Sequence, residues 1–201
     1  MLCFLHGAGE AATQDTKGIE PQLLNKLLVN GSPAWHADNG SAFISPFLVV
    51  CPQLERRRRW EQGDALWVDR LVKAAVRDFE GDDSRLILTG FSYGGEGAFQ
   101  VVAGSRLKWS TIWVVDPALQ RVPPVPGDDI RVLLQHGNAQ PGAENRAAFA
   151  KALSLVPQTE SVAVGSRVIV SRSVDHPGMC RAAYEDAWAY NWALGCPVGP
   201  V

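Results

Sequence analysis

No stretch of this chain is apolar for anything near the roughly 18 residues that a membrane span requires, and no internal repeat is visible. The opening segment Met1-Leu2-Cys3-Phe4-Leu5 lacks a basic leader and is far too short for the core of a signal peptide. The four cysteines, Cys3, Cys51, Cys180 and Cys196, have no metal-ligand spacing. Cys3 and Cys51 sit in apolar runs, which is where buried free thiols are found. Charge is nearly balanced at a net −2, which argues against a general nucleic-acid binder. The run Arg56-Arg57-Arg58-Arg59 is a local exception and reads as a solvated loop. These absences predict a cytoplasmic protein with no membrane span, no nucleic-acid partner, no metal and no cofactor; they leave its oligomeric state open.

What remains is a globular composition: 201 residues, 46% hydrophobic and 20% charged, enough for one domain with a sizeable core. Apolar runs of strand length alternate with helix-length amphipathic segments. The expected strands are Leu2–Leu5, Phe47–Cys51, Leu86–Thr89, Thr111–Val115, Val132–Gln135 and Arg167–Ser171, most of them almost continuously apolar, as in parallel strands covered on both faces. The expected helices are Asp64–Phe79, Gly95–Ala103, Glu144–Leu153 and Cys180–Leu194. In the first, Leu66, Trp67, Leu71, Ala74, Ala75 and Phe79 fall on one helical stripe. The aromatic-rich last segment reads as packing. The alternation predicts a single-domain α/β protein, a mostly parallel sheet of about six strands with helices on both faces and no cap domain. The Pro-rich stretch 122–127 reads as a loop inside that domain.

One junction concentrates the chemistry. The strand Leu86-Ile87-Leu88-Thr89 runs into Gly90-Phe91-Ser92-Tyr93-Gly94 and then into a helical pattern. Gly-x-Ser-x-Gly between a strand and a helix is a nucleophile elbow: small neighbours allow a sharp turn that lifts the serine hydroxyl above the sheet edge. A serine nucleophile needs a base that titrates near neutral pH, and only His6, His36, His136 and His176 are available. His6 and His136 sit in strand-end His-Gly pairs and read as structural, bonded to nearby loop backbone. His36 lies in a polar loop without an obvious partner. His176 follows the last strand, where the order serine, acid, histidine puts the base. The loop Leu5-His6-Gly7-Ala8-Gly9-Glu10 is small enough to bring the Ala8 N–H to a developing oxyanion, with the Tyr93 N–H as the second donor.

Together these segments resemble the α/β-hydrolase superfamily. More narrowly they resemble its phospholipase/carboxylesterase, polyhydroxybutyrate-depolymerase-like and "predicted peptidase" esterases. The match is carried by Phe4 to Glu10 (FLHGAGE), by Val50-Cys51-Pro52-Gln53 with the later Trp60, by Asp82 to Gly97 (DDSRLILTGFSYGGEG), and by His176 with a final helix bearing Trp192. The resemblance implies an acyl-transfer enzyme with no cofactor and a small-molecule ester substrate. The family has extra strands before its His-Gly loop, so this chain is expected to have a pared-down N-terminus. Its acid stands four residues after the histidine of a His-Gly-x-x-Asp segment, where this chain has Gln140 after His136. An amide cannot stabilise an imidazolium as a carboxylate does.

Asp116, which ends the strand after the elbow helix, ranks first as a replacement. Glu144, better placed as a helix cap, ranks second, and Asp175, adjacent to His176, third; a Ser-His dyad oriented by a neutral group is the remaining possibility. The expectation is therefore a serine carboxylic-ester hydrolase built on Ser92, His176 and Asp116. Ala8 and Tyr93 hold the oxyanion, and Trp60 and Trp35 stand near the substrate mouth. With no cap-sized insertion, the site should be open and suited to short-chain or accessible esters. Amide or thioester hydrolysis and a non-catalytic binding role are the alternatives.

Overall fold

The computed structural model describes residues 1–12, 24–28, 31–120, 122–137, 143–158 and 167–196. Seven strands form one sheet: β1 (Leu2–Leu5), β2 (Val49–Val50), β3 (Leu86–Phe91), β4 (Trp109–Val115), β5 (Arg131–His136), β6 (Val156–Pro157) and β7 (Arg167–Ser171). Their order across the sheet is β2-β1-β3-β4-β5-β7-β6, and every pairing is parallel. The sheet grows leftward from β1 to β2 and rightward from β3 onward, so the strand order reverses between β1 and β3. In an open parallel sheet the crevice at the carboxyl end of such a reversal is where ligands bind.

Alternation along the strands divides the core in two. Cys3, Leu5, Leu88, Ile112, Val114, Val132 and Leu134 face one way, onto Val68, Val72, Ala98, Phe99 and Phe149. These last come from α2 (Ala65–Asp78), α3 (Tyr93–Gly104) and α4 (Ala143–Ala152). Leu2, Phe4, Ile87, Trp113, Val115, Leu133 and Val168 face the other way, onto Met179, Tyr184, Trp188 and Trp192. These are carried by α5 (His176–Tyr184) and α6 (Ala187–Ala193). A strand covered on both faces has no polar face to show, hence the continuous apolar runs.

Four expectations are corrected. There are seven strands rather than about six; β6 is two exposed residues ending in a proline at the sheet edge, too short to show as an apolar run. The buried stripe of α2 is Ala65, Val68, Asp69 and Val72, whereas Leu66, Leu71 and Phe79 are exposed at 47%, 39% and 71%. Asp69 makes that rotation possible: its carboxylate accepts from the Ser105 hydroxyl and the Arg106 N–H, so a charged residue lies on the inner face with its bonds made. The last expected helix is two, because Asp186 caps a new start by accepting from the Trp188 N–H. A short helix, α1 (Pro33–Asp38), capped by Ser32, stands where a polar loop was expected.

Among the described residues no helix is long and apolar enough to cross a membrane, and no group of metal-ligating side chains is present. The four cysteines are free thiols, with Cys3 and Cys180 buried.

Candidate active site

The elbow occupies the crevice at the strand-order reversal. β3 ends at Phe91 and α3 begins at Tyr93, so Ser92 alone makes the turn, with φ +55° and ψ −114°. A non-glycine residue held there is strained, and the strain persists because the surroundings over-determine it. The Ser92 N–H donates to Val115 O at 3.0 Å, and Ser92 O accepts from the N–H of Ala118 at 3.1 Å. The two glycines of the motif are steric requirements. A side chain at Gly90 would overlap the Gly94 carbonyl, and one at Gly94 would overlap the carbonyl of Leu5 at the end of β1. The helix start therefore lies directly on the loop that follows β1.

That loop reaches Ser92. The point where a Gly7 Cβ would sit is 3.3 Å from the Ser92 Cβ and 3.1 Å from Glu10 Oε2. His6 anchors the loop from inside. Fully buried, its Nδ1–H donates to Gly7 O at 2.6 Å, while its Nε2 accepts from the Leu54 N–H at 2.9 Å. Burial pushes its pKa down to about 4, so the ring is neutral as the bonding requires. Glu10 is half-buried, and burial raises its carboxyl above the usual range, partly offset by loop N–H groups and His176.

His176 opens α5, immediately after the cap Asp175. Its Nδ1–H donates to Asp116 Oδ2 at 2.6 Å. Asp116 is 1% exposed, and its other oxygen accepts from the Gly137 N–H at 3.2 Å. It follows β4 with φ +43°, a second strained non-glycine residue in the same crevice. The imidazole stacks on Phe91, the residue before Ser92, with ring centroids 4.3 Å apart and planes at 25°. The structure thus gathers Ser92, His176, Asp116 and the Gly7–Ala8 loop at one end of the sheet.

The other acids go elsewhere. Asp175 accepts from the Gly178 N–H at 2.7 Å as the helix cap. Glu144 is an exposed residue in the first turn of α4. Gln140 lies outside the described residues. His136 is bonded to Gly137 O at 3.1 Å and to the Ser171 hydroxyl at 2.7 Å. His36 is buried against the edge of Trp35.

Two expectations about the mouth and its rim change. Trp60 does not face a substrate: it is 2% exposed, its ring packs on Trp67, and its indole N–H donates to His6 O at 3.0 Å. It braces the loop after β1 from the inside. Trp35, 37% exposed on α1, has its ring against His36, and among the described residues no bond or ring contact of its side chain reaches the elbow. The arginine run is solvated except at Arg59. Arg56 and Arg57 are exposed, but Arg58 makes a two-pronged pair with Asp64, and Arg59 pairs with buried Glu96 of α3. Arg59 also donates to Ala118 O at 2.9 Å and lies 4.2 Å from the centre of the Tyr93 ring. It is a residue the sequence reading missed. A run of like charge does not show which members turn inward, and Glu96, one turn into the elbow helix, was the available signal.

No family model matches the chain, and no curated protein does. Solved structures do match. A thermostable esterase aligns over 96% of this chain at 20% identity and a TM-score of 0.67; this chain spans 53% of that one. The chain has the α/β-hydrolase fold. A hydrolase of the α/β superfamily from Xanthomonas campestris pv. campestris, described as putative, aligns over 94% of this chain and 95% of its own, at 15% identity and a TM-score of 0.56. Esterase 2 of Thermogutta terrifontis in its apo form aligns over 96% of this chain and 79% of its own, at 16% identity and a TM-score of 0.53. In an α/β-hydrolase fold a serine at a strand-to-helix elbow is followed in chain order by an acid and then a histidine. Here Ser92, Asp116 and His176 stand at those places.

Proposed function

We propose that this chain is a serine hydrolase of carboxylic esters. The observation that carries the reading is the 2.6 Å bond from His176 Nδ1–H to buried Asp116, beside a serine held at positive φ. That bond fixes the imidazole tautomer with Nε2 bare, the form that accepts a proton. Ser92 Oγ attacks the ester carbonyl carbon as its proton passes to His176 Nε2. The imidazolium is stabilised by Asp116. The carbonyl oxygen becomes an oxyanion, held by the N–H groups of Ala8 and Tyr93. The C–O bond to the alcohol breaks, and the alcohol leaves with the proton from His176. Water, activated by the same histidine, then releases the acid and restores Ser92. Every proton transfer runs through side chains already in the crevice.

Esterases among the solved neighbours support the ester assignment, including a butyrate-bound form of the Thermogutta enzyme. Short-chain or accessible esters are the proposed substrates; kcat/KM rising steadily from acetyl to long-chain p-nitrophenyl esters would overturn that. A fluorophosphonate probe tests the reaction class. Labelling of the wild type and none of Ser92→Ala is expected, and equal labelling of both overturns the mechanism. Amide or thioester hydrolysis uses the same acyl-enzyme and is separated by comparing matched substrates. No labelling of the wild type would favour a binding role.

A further inference from the structure

The opposite edge of the sheet carries a groove that the proposed chemistry does not use. It lies at the amino ends of β3 and β4, against α2, and its cavity is about 380 Å³. That is at the lower end of the roughly 300–1,000 Å³ typical of small-molecule sites. The floor is apolar: Val72 and Leu86 are buried members of the core, and Leu107 packs against it. The rim is cationic. Lys73 and Arg77 stand one turn apart on α2, and Arg106 and Lys108 come from the connection into β4. Asp83 is the single acid of the lining.

These charges have not been spent on each other. Arg77 is bonded to Asp78, but among the described residues Lys73, Arg106 and Lys108 have no ion-pair partner within the groove or beyond it. All three are exposed. In a chain of net charge −2, this is a local concentration of positive charge over an apolar trough. A cation of the rim attracts an anionic head, and the trough removes an alkyl tail from water. A cation is repelled by the rim, a sugar gains nothing from the trough, and a neutral hydrocarbon leaves the rim unused.

We propose that this groove binds a free alkyl carboxylate, its head held by Lys73, Arg106 and Lys108 and its tail laid on Val72, Leu86 and Leu107. The site is independent of the ester-hydrolase reading and stands or falls separately from it.

The test is calorimetric titration of the whole chain carrying Ser92→Ala, with decanoate, decanol and decyltrimethylammonium as probes. Decanoate is expected to bind one per chain and the other two not to bind. In the triple variant Lys73→Glu/Arg106→Glu/Lys108→Glu, affinity for decanoate should fall at least about tenfold, a difference of about 1.4 kcal/mol. These side chains are exposed, so an unchanged circular dichroism spectrum is expected, and fluorophosphonate labelling of the same triple variant on a wild-type Ser92 background should be undiminished. Decanoate binding that survives the triple variant places it elsewhere and overturns the proposal. So does equal binding of decanol, or co-sedimentation with anionic lipid vesicles when monomeric decanoate does not bind.

Discussion

The two edges of one sheet are built on opposite rules. At the carboxyl edge polar groups are buried and tied down: Asp116 is 1% exposed with both oxygens bonded, Glu96 is paired with Arg59, and His6 has both ring nitrogens engaged. Positive φ does not separate the edges: Ser92 and Asp116 hold it at the carboxyl edge, and Glu80 and Ser154 hold it in the turns that lead into β3 and β6. At the amino edge the charges are exposed, and Lys73, Arg106 and Lys108 have no ion-pair partner among the described residues. The carboxyl edge carries a desolvation of polar groups that core packing does not require, and such outlay is typical of catalytic geometry.

Substitutions sharpen that contrast in proportion to how deeply each residue is committed. Ser92→Ala should lower kcat on a p-nitrophenyl ester by about 10⁶-fold with the fold intact, because members of an acyl-transfer triad act as a unit. Asp116→Asn should cost about 10⁴-fold in kcat, because the amide does not favour the imidazole tautomer with bare Nε2. Unchanged kcat would transfer the role of acid away from Asp116.

Acid should weaken the carboxyl edge through His6. Folded His6 protonates only at about pH 4 and the unfolded chain near 6.5, so its contribution is complete above 6.5 and is lost as pH falls towards 4. The loss approaches about 3 kcal/mol, measurable as a falling urea midpoint. His6→Gln, which keeps a donor and an acceptor, should flatten that slope. If the wild-type midpoint does not fall across this window, His6 is not the neutral clamp described.

Arg59→Ala should reduce kcat by about 10-fold to 100-fold with a smaller change in KM, since it removes the guanidinium from buried Glu96 and frees the Tyr93 ring beside the proposed oxyanion donor. Arg59→Lys should recover the charge pairing but not all of the rate, because a lysine cannot reach both Glu96 and Ala118 O while covering the ring. A loss confined to KM would make Arg59 a substrate-side residue instead. At the other extreme, Lys73→Ala and Lys108→Ala should leave kcat, KM and stability within about 0.5 kcal/mol of wild type, as exposed residues do.

Much of the fold could be read along the chain because parallel strands buried on both faces are almost continuously apolar. The five longer strands were found within two residues at either end, and β2, a pair of residues inside a longer apolar run, was placed but overdrawn. Helix faces were harder. The apolar residues of α2 lie all round it, and the one facing the core was settled by Asp69, whose bonds to Ser105 and Arg106 come from another part of the chain. Ser92 and His176 were legible because an elbow and a late histidine are features of local sequence and order. Trp60 was misplaced because an aromatic near a site reads the same whether it lines the mouth or props the loop beneath it.

Local pattern, then, specifies the strands and the elbow, since each depends on residues close together in the chain, and chain order singles out the late histidine. The partner of His176 is of another kind. Chain order ranks Asp116 ahead of Glu144 and Asp175 without deciding between them, and which one meets the imidazole depends on where the fold brings them; Asp116 is 60 residues away in sequence. The pairing of β4 beside β3, the positive φ of Asp116 and the Gly137 N–H on its far oxygen place one carboxylate 2.6 Å from His176, while Asp175 is turned away to cap its own helix. Long-range packing makes that choice because a hydrogen bond reports separation and direction, and neither is written in sequence distance.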